Sequence, residues 1–300
     1  MGIRHSIFLI FLSSALFIYF RSKVRFGLLR SLTDYVVLLA PINVLIYLFS
    51  KVGHSPYLSA DEFPELQPLK DQWQMIRDEA LSLQDTGQIR QATGYNDIGF
   101  NSFFRTGWKR FYLYWYGKDL PSAEASCPQT VALLKSIPSI KAAMFASLPP
   151  GAKLVRHRDP YAGSLRYHLG LITPNSPLCF INVDGEPYHW KDGEAVVFDE
   201  TYIHFAANNT EHQRIVLFCD IERPLHTKIM RSFNHWFGLK VMGAAASQNI
   251  ESESRGCINV LFTYFYRRRM LTKNLKASHR QIYYIGKWIL IIGLIWLIFW

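Results

Sequence analysis

Cysteine is sparse in this chain, four in 300 residues, and none of Cys127, Cys179, Cys219 and Cys257 forms a CxxC pair. That scatter argues against a disulfide framework and against a structural zinc site. It suits a reducing, cytoplasmic setting for the folded part. Acidic side chains are also in short supply, with 23 Asp and Glu against 33 Lys and Arg and a formal net charge of +10. The expected partners are therefore anionic: a phospholipid surface, nucleic acid or an acidic substrate. No internal repeat or low-complexity tract is evident. The long hydrophobic runs lie at the two ends of the chain, which favours membrane over nucleic acid.

The first run, Ile7 to Phe20, is short for a span, which needs about 20 residues. A small-residue cleavage site is missing after it. Arg21, Lys23, Arg25 and Arg30 follow instead, so it reads as an uncleaved anchor with a cytoplasmic basic flank. A second run, Tyr35 to Phe49, is interrupted by Pro41 and Asn43 and fits a re-entrant or interfacial segment at least as well as a span. A third, Trp288 to Trp300, follows Arg267, Arg268, Arg269, Lys273, Lys276, Arg280 and Lys287 and reads as a C-terminal membrane segment with its own cytoplasmic flank. The expected organisation is an anchor region over 1–50, a catalytic domain over 51–226, a helical basic segment over 227–280 and a membrane segment over 281–300.

Between the anchors the texture changes. Trp73, Ile76, Ala80 and Leu83 recur at helical spacing and predict an amphipathic helix over Asp71 to Gln84. Short β-like runs follow at Ala142–Leu148, Leu154–His157, Ser164–Ile172, Leu178–Val183, Glu194–Phe198, His204–Ala207 and Arg214–Ile221. Turn signals separate them, among them Pro149-Pro150-Gly151, Asp159-Pro160, Asp184-Gly185 and Asp192-Gly193. Many short strands with regular turns predict a mainly β fold, an antiparallel sandwich or barrel such as a jelly roll. Leu225 to Gln248 is expected to return to helix. The aromatic and basic stretch Trp108–Tyr116 fits a core strand or an acyl groove equally well.

His157 and Asp159, two apart on an extended segment, face the same way. His204 follows after another strand and turn. Two imidazoles and a carboxylate form the facial triad of non-haem iron(II) oxygenases, which leaves positions open for a co-substrate and O2. On spacing alone, satisfied strand histidines remain the commoner explanation. Arg166 and His168 alternate on one side of their strand, with Leu165, Tyr167 and Leu169 on the other. Arg214 opens a strongly apolar strand, where it either snorkels to water or lies buried and needs a carboxylate. His189 and His212 sit beside turns and are expected to be solvated, and Asp199 and Glu200 to shape the turn that presents His204.

Taken together, His157-Arg158-Asp159-Pro160, Leu165-Arg166-Tyr167-His168-Leu169-Gly170-Leu171, Trp190-Lys191-Asp192-Gly193-Glu194, Phe198-Asp199-Glu200, His204 and Arg214 resemble the aspartyl/asparaginyl β-hydroxylase family over about residues 140–222. The likeness extends to its bacterial lipid A acyl-chain 2-hydroxylase branch through the N-terminal anchor, Phe63-Pro64-Glu65-Leu66, Arg77 to Ala80 and Gly286-Lys287-Trp288. The resemblance implies a double-stranded β-helix (jelly roll) and a dioxygenase dependent on Fe(II), 2-oxoglutarate and O2. It implies His157 and His204 as iron ligands, Arg214 on the distal carboxylate of 2-oxoglutarate, and Arg166 and His168 near the other end. Peptide-hydroxylating relatives lack a triad carboxylate where this chain has Asp159, which either completes the triad or caps the turn before Pro160. Ala146 stands where the family often has a serine, and Ser147 would face the other way. The implied substrate is lipid A or a related anionic lipid at the cytoplasmic face of the bacterial inner membrane. The alternatives are a protein aspartyl or asparaginyl residue, another membrane lipid, or a metal-free lipid-binding module.

Overall fold

A computed structural model describes residues 3–27, 30–31, 34–92 and 96–299. Its centre is a pair of antiparallel sheets. The larger contains β1 (Tyr57–Leu58), β2 (Lys109–Trp115), β3 (Ile140–Leu148), β5 (Ser164–Ile172), β8 (Ala195–Phe198) and β10 (Arg214–Glu222), in the order β1-β8-β5-β10-β3-β2. The smaller contains β4 (Lys153–His157), β6 (Cys179–Val183), β7 (Glu186–His189) and β9 (His204–Asn208), in the order β4-β9-β6-β7. Apart from β2–β3 and the β6–β7 hairpin, neighbours in this order are not consecutive in sequence, and every strand pair is antiparallel, the arrangement of a jelly roll.

The seven sequence-expected strands all appear, with ends moved by one or two residues. β1 and β7 carry too few apolar residues to signal themselves. β7 arises because Asp184 and Gly185, both at positive φ (52° and 96°), close a two-residue hairpin between Val183 and Glu186. The Trp108–Tyr116 stretch is largely core: β2 pairs with β3, and Phe111, Tyr112 and Leu113 are buried.

Strands β5 and β10 are buried along almost their whole length because both faces are covered. The expected helix, α1 (Trp73–Asp85), packs its Ile76, Ala80 and Leu83 stripe onto β5. Burying Ile76 and Leu83 contributes about 1.5–3 kcal/mol each. The opposite faces of β5 and β10 look into the space between the sheets, so the inward residues of these two strands form a site rather than a core.

Among the described residues one helix, Ile3–Phe20, is long and apolar enough to cross a membrane. The run expected to be interfacial forms short helices over Tyr35–Leu38 and Ala40–Leu48. One face is seated on the β domain, with Val36, Ala40, Ile46 and Tyr47 packed in a cluster with Ile18, Ala162, Leu225 and Met230. The other face exposes Leu38, Leu45 and Leu48. Leu225 to Gln248 is helical over much of its length: α-helical over Lys228–Phe237, then a wider π-helical turn over Gly238–Met242 and a 3-10 turn over Gly243–Ala245. The C-terminal helix Arg280–Phe299 exposes Ile282, Ile285, Ile289, Leu290 and Trp296. The side chains of Arg267, Arg268, Arg269, Lys273 and Lys276 lie outside the described residues.

Candidate metal and co-substrate site

His157 ends β4 and His204 opens β9, and the two are register partners across that pair. Their rings lie 4.2 Å apart, centroid to centroid. Asp159 follows β4 by two residues, and its backbone N–H donates to the Glu200 carbonyl (2.9 Å). One potential ligand atom from each of His157, Asp159 and His204 lies within 4.8 Å of the others. Each imidazole is oriented the same way: Nδ1 meets the carbonyl two residues upstream, Val155 for His157 (2.8 Å) and Tyr202 for His204 (2.9 Å). With Nδ1–H donating there, the Nε2 lone pair is left for a metal. Burial, then the neighbouring His157, pushes His204 down to about 3, and burial also lowers His157. Both imidazoles are therefore neutral at physiological pH, the form that ligates.

The cavity at this triad is lined on one side by Phe100, Phe103, Trp108, Leu154, Ile181 and Phe205. The Phe103 ring lies 4.5 Å from that of His157. Ala146, His168 and Arg214, from β3, β5 and β10 of the larger sheet, also line the cavity, as does Trp190. Of the two readings of Arg214, the structure gives burial: it is 2% exposed, its guanidinium lies 4.3 Å from the Trp190 ring centroid, and its Nε has no hydrogen-bond partner. Among the described residues no carboxylate pairs with it. Burial lowers its pKa to about 10, which leaves it charged. Both ring nitrogens of His168 are likewise buried without a partner. Burial, then Arg214 and Arg166, holds His168 far below its usual range and so neutral. Ala146 lines the cavity and Ser147, on the other face of β3, does not. His189 and His212 are exposed, as expected.

Arg166 also lines the cavity, but its guanidinium is occupied by carboxylates. Nη2 donates to Asp159 Oδ2 (2.8 Å) and to Glu200 Oε2, and Nε lies 3.2 Å from Asp220 Oδ1. Asp220 in turn accepts from Tyr116 Oη (2.9 Å), and Glu200 from Ser164 Oγ (2.7 Å). Sequence reasoning missed Asp220, although a signal existed. Counting by twos along β10 from Arg214 reaches Val216, Phe218 and Asp220, which puts a carboxylate on the cavity face opposite Arg166.

Asp199 does more than shape its turn. Fully buried, it accepts from Arg223 Nη2 (2.8 Å) and Arg21 Nη2 (3.1 Å). Burial raises its pKa, but Arg223, Arg21 and Thr201 outweigh this and bring it to about 2. Asp199 therefore contributes stability that is fully present above about pH 4 and is lost as pH falls through about 2. Asp199→Asn is expected to strand the buried Arg223 and cost about 3–5 kcal/mol. Chemical denaturation of the variant and wild type at pH 7 checks this; equal midpoints would contradict it.

Residues 70–224 match the family described as aspartyl/asparaginyl beta-hydroxylase. The ornithine lipid ester-linked acyl 2-hydroxylase of Rhizobium tropici is 35% identical over 195 residues, 63% of this chain and 67% of that protein. The aspartyl/asparaginyl beta-hydroxylase of Homo sapiens is 26% identical over 53% of this chain, but the match spans only 21% of that longer protein. A crystal structure of a Pseudomonas putida prolyl-4-hydroxylase aligns at 18% identity and a TM-score of 0.34, over 52% of this chain and 88% of that one.

Proposed function

Given that the chain belongs to the aspartyl/asparaginyl β-hydroxylase family, we propose that it is an Fe(II)- and 2-oxoglutarate-dependent dioxygenase that 2-hydroxylates an acyl chain of a membrane lipid, lipid A in the first instance. One observation carries the reading: a buried Arg214, which no carboxylate among the described residues pairs with, shares a cavity with a His-Asp-His cluster. The donor set fits iron(II), and the orphaned guanidinium fits a carboxylate of the co-substrate. His157, Asp159 and His204 hold the metal. Arg214 pairs with the distal carboxylate of 2-oxoglutarate, while neutral His168, with both ring nitrogens free, serves the same ligand. When bound, Fe(II) with 2-oxoglutarate and O2 supplies an oxidation that yields succinate and CO2 and places one oxygen on the acyl carbon.

Arg166 takes a different part from the one the resemblance implies: it holds Asp159 Oδ2, leaving the other carboxylate oxygen for the metal. The aromatic wall of Phe100, Phe103 and Trp108 excludes water and offers an apolar surface for a hydrocarbon chain. The apolar Ile3–Phe20 helix and the net charge of +10 support a substrate in an anionic bilayer, with the catalytic domain on the cytoplasmic side of the inner membrane.

A second substrate reading, the ester-linked acyl chain of an ornithine lipid, is favoured by the bacterial relative. Mass spectrometry of lipids from expressing and deleted cells separates the two. The first reading expects one added oxygen on lipid A, the second on ornithine lipid. Unchanged masses in every lipid class would contradict both.

A further inference from the structure

Arg21, Asp34, Asn43 and Tyr47 of the N-terminal region grip the two turns that flank the metal-binding side chains. Arg21 follows the apolar helix directly. Besides Asp199, its guanidinium donates to Thr201 Oγ1 (3.0 Å) and to Tyr47 Oη. It lies 3.9 Å from the Tyr202 ring centroid and 4.2 Å from that of Tyr47. Four successive residues, 199 to 202, are thereby tied to the anchor or to the metal cluster. The Tyr202 carbonyl orients His204, and the Glu200 carbonyl receives the Asp159 N–H. The Glu200 side chain reaches Asp159 again through Arg166.

The turn after Asp159 is held from the same segment. Asp34 Oδ2 accepts from Arg158 Nε (2.9 Å). Asn43, wholly buried, donates through Nδ2 to the Pro160 carbonyl and accepts through Oδ1 from the Ala162 N–H, both at 2.9 Å. Neither turn lies within a ladder, so these contacts supply positioning that the sheets do not.

We propose that the side chains of Arg21, Asp34, Asn43 and Tyr47 form a positioning element of the metal site, with Arg21 and Asn43 its principal positioning residues, and that this segment is not merely a tether. This rests on the reading that His157, Asp159 and His204 hold a metal. Groups that orient ligands from behind typically change metal affinity by about 10–100-fold when removed. The same contacts fix the cleft relative to the apolar helix, so the anchor and the ligand geometry are one unit.

The test uses the full-length protein in detergent micelles, titrated anaerobically with Co(II) as a probe and followed by its visible absorption. Arg21→Gln is the informative variant because Asp199 keeps Arg223 as a partner. About tenfold weaker Co(II) binding and an altered ligand-field spectrum are expected, with partial recovery in Arg21→Lys and unchanged membrane partitioning. Lys23→Ala, on the same linker but paired with the exposed Glu186, should bind as wild type does. Should Arg21→Gln lower the melting temperature, Asp34→Asn probes the other turn and should weaken Co(II) binding in the same direction. Affinity and spectrum equal to wild type in both Arg21→Gln and Asp34→Asn would overturn the inference alone. Wild-type protein that takes up no Co(II) would overturn the functional reading together with it.

Discussion

Replacing His204 with glutamine is expected to abolish metal retention and 2-oxoglutarate turnover while leaving the fold in place. The imidazole sits at the head of β9 opposite His157, with Nδ1 committed to the Tyr202 carbonyl, so only Nε2 is left to ligate. Glutamine keeps most of the buried volume but offers a weak amide oxygen where an unprotonated nitrogen stood. Two donors from the protein then remain of three. Elemental analysis after gentle purification and succinate release in the presence of lipid together check the outcome. Iron at wild-type stoichiometry in His204→Gln would contradict the assignment. Circular dichroism should be unchanged, because His204 makes no ladder bond through its side chain.

Arg214→Met should lose co-substrate binding and gain stability, an unusual pairing of signs. The guanidinium is buried and no carboxylate among the described residues pairs with it, a costly arrangement, and methionine fills similar volume without charge. Replacing a buried charge by an apolar side chain of matching size is often stabilising by about 1–4 kcal/mol. The bound state moves the other way. Removing one partner of a buried ion pair costs about 2–5 kcal/mol, and each 1.4 kcal/mol is about a factor of ten in affinity. The dissociation constant for 2-oxoglutarate should therefore rise by about 30-fold to several thousand-fold. Thermal melting with and without 2-oxoglutarate reads both signs at once: the variant melts higher than free wild type and no longer shifts on addition of the acid. A variant that melts lower and still shifts would place the carboxylate elsewhere.

Seven strands of the jelly roll were legible because they combine β-branched or aromatic residues with turn signals between them. His157, Asp159, His204 and Arg214 were legible because strand alternation puts chemically suited groups on one face, and the family resemblance gave them an order. Arg166 shows where that reasoning stopped. Its place on the inward face of β5 followed from period two, and the same count along β10 reaches Asp220, but no local pattern encodes which strand lies beside which, nor the contact with Glu200 in a turn 34 residues away. The N-terminal region shows the same limit more strongly. Hydropathy presents residues 35–49 as a broken apolar run, and Pro41 and Asn43 look like interruptions of a membrane segment. In the fold Asn43 is the residue that closes the turn after Asp159. A polar residue in an apolar helix signalled burial against backbone as readily as a defect, and only the tertiary structure separates the two.

The central claim is that this cavity couples 2-oxoglutarate oxidation to hydroxylation of a membrane lipid. Its most direct test is incubation of the full-length, Fe(II)-loaded protein in vesicles containing lipid A or ornithine lipid, with 2-oxoglutarate and isotopically labelled O2, followed by mass spectrometry of the lipids and assay of succinate. The account predicts one labelled oxygen on C2 of an acyl chain and one succinate per hydroxyl formed. No labelled lipid, or labelled lipid formed equally without 2-oxoglutarate, would contradict it.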